Sequence, residues 1–236
     1  MKSFNFSEIN LKRTFILGLC PIILIIVISC GTQKQKGITS DDISVNFSSQ
    51  DSEIDPSIEE GFKKIVNEAY PRLINDFNRE ASRNISIVVD TSYEGVAFAK
   101  NDSITVSAAW MRKKPEDLDL MTHEIMHIVQ AYDYSKAPFW LTEGIADYAR
   151  YKYGLDNEGA GWSLTPYNPS QNYTDSYRIS ARFLVWMSQN YDDQLVYKLD
   201  DKLRDQTFTE AVWNEYTGKT LDALWQEYSA DPKLSP

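Results

Sequence analysis

Both histidines of the chain fall in one short run, DLMTHEIMHIVQAYDY, from Asp119 to Tyr134. They stand four residues apart, as His123 and His127, with Glu124 directly after the first. Pro115, Glu116 and Asp117 suit the first turn of a helix, and Leu118, Met121, Ile125, Val129 and Tyr132 recur at spacings of three and four, which predicts a helix with one buried stripe. At about 100° per residue the two histidines lie on roughly the opposite side. The fold must offer this helix a core on one face and a use for imidazoles on the other.

Two imidazoles at i and i+4 on one helical face can close on a single tetrahedral Zn2+ ion, and the glutamate between them reaches the same side to act on a water there. Zinc takes a third protein ligand. No histidine remains, so a carboxylate must supply it, and APFWLTEGIADYARY offers Glu143. The interval from His127 leaves room for a loop through DYSKAP and a second helix running back, with Gly144 allowing close approach of the backbones. Histidines that bind metal usually donate their other N–H to an acceptor that fixes tautomer and orientation. Asp147, one turn beyond Glu143, is assigned that role toward His123.

Upstream, SIEEGFKKIVNEAYPRLINDFNREA carries helical spacing at Ile58, Phe62, Ile65, Ala69 and Leu73, with Pro71 expected to kink or split it. ISIVVD reads as a strand. GVAFAK and SITVSA alternate apolar and polar residues across Asn101 and Asp102, a hairpin signal. From Pro115 onward the chain reads as helices joined by loops. In TDSYRISARFLVWMSQNY, Phe183, Trp186, Met187 and Tyr191 are assigned largely to the core, with Tyr177 and Arg182 as polar exceptions. Trp140, Trp162, Trp213 and Trp225 are assigned to packing. The whole is an α+β domain, placed at residues 56–236.

The start of the chain reads differently. Lys2, Lys12 and Arg13 precede the apolar run TFILGLCPIILIIVIS, the order of a secretory signal over residues 1–29. VISC resembles the bacterial lipobox, in which the peptide is cut before a cysteine that becomes acylated, and Cys30 sits where that cysteine belongs. An uncleaved anchor, or an ordinary signal with a chance cysteine, is the alternative. Several acyl chains hold a protein on a membrane durably, so the expected location is the bacterial cell envelope. Gly31 in place of a retaining aspartate points to an outer membrane. Residues 30–55, poor in large apolar side chains, read as a flexible tether. Removal of the leader, with its net +2, takes the formal charge from −10 to near −12, which argues against nucleic acid as a partner.

The pattern H-E-x-x-H followed by E-x-x-x-D is that of the gluzincin metallopeptidases. HEIMHIVQ, PFWLTEGIADYARY, SYRISARFLVWM and TGKTLDALWQEY together resemble the plant basic secretory protein family and its bacterial relatives. The resemblance implies a zincin-like fold with a small mixed sheet ahead of the active-site helix, His123, His127 and Glu143 as zinc ligands, and Glu124 as general base. It also implies that the strand just before that helix borders the cleft and pairs with an extended peptide, which points to Ser103, Ile104, Thr105, Val106, Ser107 and Ala108 as substrate-binding. Gluzincins often use a further histidine to steady the oxyanion. None exists here, so Tyr177 is assigned that role. The chain is acidic, so the family's "basic" label does not transfer.

These readings converge on zinc-dependent hydrolysis of peptide bonds by a membrane-anchored lipoprotein. Two alternatives stand beside it: a surface lipoprotein that binds zinc without catalysis, and a metal-dependent hydrolase acting on something other than peptide. The intact Glu124 disfavours the first, since a binding site needs no base.

Overall fold

Alternation in the strands decides where the sheet has its core face. In Asn84–Asp90 (β2), Ile85, Ile87 and Val89 are fully buried while the residues between them are half-buried; in Ser103–Ser107 (β4), Ile104 and Val106 are likewise buried. The computed structural model describes residues 36–235; the signal segment, Cys30 and the first part of the expected tether lie outside the described residues. The sheet has four strands. Ser44–Ser49 (β1) pairs in parallel with β2, β2 in parallel with β4, and Ala97–Lys100 (β3) antiparallel with β4.

Two sequence expectations are corrected here. Folded structure begins well before Pro56, because β1 lies inside the expected tether, with Val45 opposite Ile85 and Phe47 opposite Ile87. Backbone pairing holds this strand, so two half-buried apolar side chains suffice and its composition resembles a linker. The strand expected to pair with substrate, Ser103 to Ala108, is interior: β4 is hydrogen-bonded on both sides, and the free edge belongs to β3. Ala108 already starts a short helix, Ala108–Lys113 (α2), whose first turn is capped by the Ser107 hydroxyl accepting from the Trp110 N–H at 3.2 Å.

Between β1 and β2 the chain crosses the sheet as Pro56–Asp76 (α1). Asp55 caps it by accepting from the Ser57 N–H at 2.8 Å, and Pro56 occupies the first turn, where its missing N–H costs nothing. Pro71 does not split α1 as expected. Tyr70, Pro71, Leu73 and Ile74 are all buried, and that packing holds the turn whose backbone hydrogen bond the proline removes.

The helix with the two histidines, Leu120–Gln130 (α3), starts later than the sequence suggests. Asp117 and Asp119 are engaged elsewhere; the Asp119 carboxylate accepts the N–H groups of Leu155 and Asp156 at 2.9 and 2.5 Å. Met121, Ile125 and Val129 are buried as the spacing predicts, but burial is not confined to that stripe: every residue of α3 except His127 is buried, because α1 and α4 both pack on the helix. Phe139–Tyr153 (α4) runs antiparallel to α3, since Gln130 reaches Thr142 at one end and Asp117 reaches Arg150 at the other. Tyr177–Asn190 (α5) then packs on α4. At Gly144 an added Cβ would stand 2.8 Å from the Ser180 Cβ, so glycine is what permits the approach.

Leu195–Arg204 (α6), Ala211–Thr217 (α7) and Leu221–Ala230 (α8) complete the fold. Phe183 and Trp186 of α5 meet Trp225 and Tyr228 of α8 ring to ring. No helix among the described residues is long and apolar enough to cross a membrane.

One buried ionic group ties α6 to the end of α3. Asp200, fully buried, accepts from the Tyr132 hydroxyl at 2.6 Å and from Arg204. Burial pushes its pKa from an ordinary 3.8 up to about 6, against the pull of Arg204 and Tyr132. A carboxyl whose folded-state pKa is raised contributes stability that is complete below about pH 4 and is lost as pH rises through 6. Asp200→Asn, which retains an acceptor for Tyr132, should therefore cost less stability at pH 7 than at pH 5. Urea unfolding of both proteins at the two pH values measures this, and an equal or larger cost at pH 7 contradicts it.

Candidate metal centre

Three donor atoms converge between α3 and α4. The Nε2 atoms of His123 and His127 lie 3.1 Å apart, and Glu143 Oε2 is 3.2 Å from the first and 3.6 Å from the second. Such edges describe three corners of a tetrahedron whose centre lies about 2 Å from each donor, the bond length zinc makes to nitrogen and carboxylate oxygen. Among the described residues, His123, His127 and Glu143 form the one group of this kind able to hold a metal ion.

The tautomers follow from the outer partners. His123 Nδ1 donates to Asp147 Oδ1 at 2.7 Å, and His127 Nδ1 donates to Gln130 Oε1 at the same distance. With both Nδ1 atoms carrying the proton, both Nε2 atoms present lone pairs to the same point, which a shared cation satisfies. Asp147 is placed where the sequence expected it. Gln130 was missed, although it stands three residues after His127 on the same helix. Its amide is fully buried and its Nε2 donates to the Thr142 carbonyl at 2.9 Å, so it orients His127 and joins α3 to α4.

Electrostatics fit a cationic occupant. Burial opposes ionisation of Glu143, yet the two imidazoles beside it hold its pKa down at about 2. Burial also works against a charged His123, but Asp147 and Glu143 beside it raise its proton affinity well above the ordinary value. Glu124 is pushed up by burial, with both histidines pulling the other way. Its Oε2 is buried without a hydrogen-bond partner, and a buried polar atom of that kind in a native fold points to a ligand or water.

These groups line a cleft of about 950 Å³. One wall is the free edge of the sheet, Val96 to Ala99 of β3 and the residue before it, and not the β4 residues expected from sequence. Tyr177 lies on the opposite side, its ring nearly parallel to His123 with centroids 6.2 Å apart. It is held there by an unusual backbone. Ser176 has φ 65° and ψ −175°, a region almost confined to glycine, and Tyr177 follows at φ 51°. Each such residue stores about 1–3 kcal/mol of strain.

Tyr134, at the far end of the motif run, also faces the cleft, with its ring centroid 6.5 Å from that of His127. Sequence reading passed over it. Burial and the Glu143 and Glu124 carboxylates raise its pKa to about 12, and burial followed by Glu143 raises that of Tyr177. Both phenols therefore remain hydrogen-bond donors at neutral pH. Trp162, assigned to packing, lines the cleft as well, stacked on Arg150.

Residues 43–228 match the family described as "Peptidase of plants and bacteria". The chain belongs to this family. Membership agrees with the resemblance to the basic secretory proteins carried by the motif stretches, and it takes in β1 at one end and nearly all of α8 at the other. No curated protein matches the chain. Among solved structures, an M1 zinc metallopeptidase from Deinococcus radiodurans aligns over 82% of this chain and 50% of its own, at 12% identity and a TM-score of 0.47. This member of the peptidase family thus spans about half the length of that structure.

The outer partners of the histidines give the centre its first test. Asp147→Ala and Gln130→Ala should each weaken divalent-metal retention about 10–100-fold, because loss of the acceptor frees the ring to rotate and change tautomer. Competition with a chromogenic chelator measures the affinity. An unchanged value for Gln130→Ala would leave that residue with a purely structural bond to Thr142.

Proposed function

We propose that this member of the peptidase family is a zinc-dependent peptidase of gluzincin type, with a zincin-like fold. The observation that carries the proposal is the tetrahedral spacing of three converging donor atoms beside the buried, unpartnered Oε2 of Glu124. His123, His127 and Glu143 hold the metal, and two imidazoles with one carboxylate are a donor set suited to zinc. Bound there, zinc supplies Lewis-acid chemistry, making water nucleophilic near neutral pH and drawing charge from the substrate carbonyl.

The chain's own groups carry the protons. Glu124, with its pKa raised by burial and no competing hydrogen bond at Oε2, takes a proton from the attacking water and passes it to the leaving nitrogen as the C–N bond breaks. Asp147 and Gln130 keep the two imidazoles in one tautomer throughout. A phenol hydroxyl donates to the carbonyl oxygen as it becomes negative, and the strained turn at Ser176 fixes Tyr177 for that task. The peptide lies along the free edge of β3, where unpaired backbone groups accept an added strand.

The lipid anchor at Cys30 belongs to the same reading and places the enzyme on a bacterial envelope, probing peptides within reach of a membrane. Its support is the lipobox-like VISC alone. Cys30→Ser should yield protein without acyl mass, recovered unprocessed or soluble. Intact-mass spectrometry of membrane and soluble fractions checks this, and a lipidated serine variant overturns the localisation.

Catalysis is tested by a pair of substitutions. Glu124→Gln should keep one zinc per domain by elemental analysis yet lose two or more orders of magnitude in turnover. Tyr177→Phe should retain zinc and thermal stability and lose about 10²–10³ in kcat. Wild-type turnover in Glu124→Gln rejects the mechanism; full activity in Tyr177→Phe, with loss in Tyr134→Phe, moves the oxyanion role to Tyr134.

A further inference from the structure

One end of the cleft is lined by a cluster of charged and aromatic side chains with no part in the zinc chemistry. Arg150, buried on α4, donates from Nη2 to Asp117 Oδ1 at 2.5 Å and from Nε to Asn157 Oδ1 at 3.0 Å. The other oxygen of Asp117 accepts from Trp110 Nε1 at 3.0 Å. The Trp162 ring covers the guanidinium, 4.6 Å from its carbon to the ring centroid. Immediately after Trp162, the carbonyl of Ser163 receives a long 3.5 Å hydrogen bond from Nη1 of Arg178, an exposed residue at the start of α5. Trp110, Asp117, Arg150, Trp162 and Arg178 border the same cleft as the metal donors.

Their balance of charge is the reverse of the protein's. Three cations, Lys114, Arg150 and Arg178, line this end against the single anion Asp117, in a chain of formal charge −10. Lys114 has an exposed partner in Glu116 at 3.4 Å, an arrangement that binds weakly and leaves the ammonium available. Among the described residues, Arg178 has no carboxylate partner and Nη1 of Arg150 makes no hydrogen bond. Charges elsewhere on the surface matter little here, because salt screens them beyond about 8 Å at physiological ionic strength. An arginine held flat under a tryptophan and fixed by a carboxylate is pre-organised to offer its remaining donors to an anion.

We propose that this end of the cleft is a carboxylate-binding subsite, and that the enzyme selects peptides presenting a carboxylate a short distance from the bond it cleaves. The proposal rests on the peptidase reading above and deepens it by naming the substrate class. Arg178 and Lys114 supply attraction at the mouth, Arg150 the oriented donor deeper in, and Trp110 and Trp162 the walls that exclude water. An acidic side chain and a free C-terminus carry the same chemistry. The experiment separates them.

Wild type is given peptide sets with Glu or Gln at each position flanking the scissile bond, each set with a free or an amidated C-terminus. We expect about a 10-fold or greater gain in kcat/KM for a carboxylate at one position, held mostly in KM and reduced by salt. Arg178→Gln should bring the Glu/Gln ratio near 1–3, and Arg178→Glu should turn the preference toward Lys at that position. Lys114→Glu, also exposed, gives a second, independent reversal. A preference confined to free C-termini assigns the subsite to the terminal carboxylate and one for Glu in amidated peptides to a side chain; either supports the proposal. Equal cleavage of Glu and Gln sets, or an acid preference that survives Arg178→Glu, overturns it. Calorimetric binding of the same peptides to Glu124→Gln separates the two readings: carboxylate-selective binding without cleavage of any peptide by wild type rejects the peptidase and keeps the subsite.

Discussion

The antiparallel pairing of α3 with α4 is the constraint on which the rest depends. Every feature of the centre spans that seam: Glu143 meets the two imidazoles, Asp147 fixes His123, and Gln130 receives His127 while donating back to α4 at Thr142. The seam is closed at its other end by Arg150 and Asp117, a buried ion pair with additional hydrogen bonds on both partners. Breaking such a pair by removing one member typically costs about 3–5 kcal/mol. The same contacts that hold the helices in register thus set the distances among the donor atoms. Gly144 lets α5 press on α4 from outside, so that seam is supported from behind.

The sheet plays the complementary part. Its parallel core of β1, β2 and β4 anchors α1, and α1 in turn backs α3, while the antiparallel β3 is left with one unpaired edge along the cleft. An unpaired strand edge is a liability on most surfaces. Here it faces a cleft lined by Val96, Phe98, Tyr134 and Tyr177, four of the large apolar side chains the described residues expose, with exposed Phe139 against the Tyr177 ring. Apolar surface of that kind, concentrated around one groove, suits the extended peptide proposed to bind there.

The helix with its two histidines and the carboxylate pair on the next helix were legible because spacing alone puts them on common faces. Asp147 was legible for the same reason. Gln130 was not, since a glutamine at the end of a helix gives no sign of which acceptor role it fills. The hairpin was visible in its alternation, but alternation cannot say which member of a hairpin has a further neighbour. That depends on β2 pairing with β4, a contact between distant segments. β1 was hidden by its serines. Trp162 read as ordinary packing and nothing in the spacing singled out Arg150; only the loop after α4, folding back, stacks one on the other.

Ser176 sits where almost any sequence under selection for stability alone would place glycine. Glycine adopts that backbone without strain, and proteins accumulate such replacements readily when function does not resist them. The serine side chain offers little in return, a 3.3 Å hydrogen bond to the Thr174 carbonyl. What it does supply is stiffness, because a glycine hinge would let the start of α5 sample several directions and carry the phenol of Tyr177 with it. The position is therefore a point of exchange between durability and aim. Thermostabilised descendants of this protein are expected to reveal the position's role by what they lose when glycine enters there.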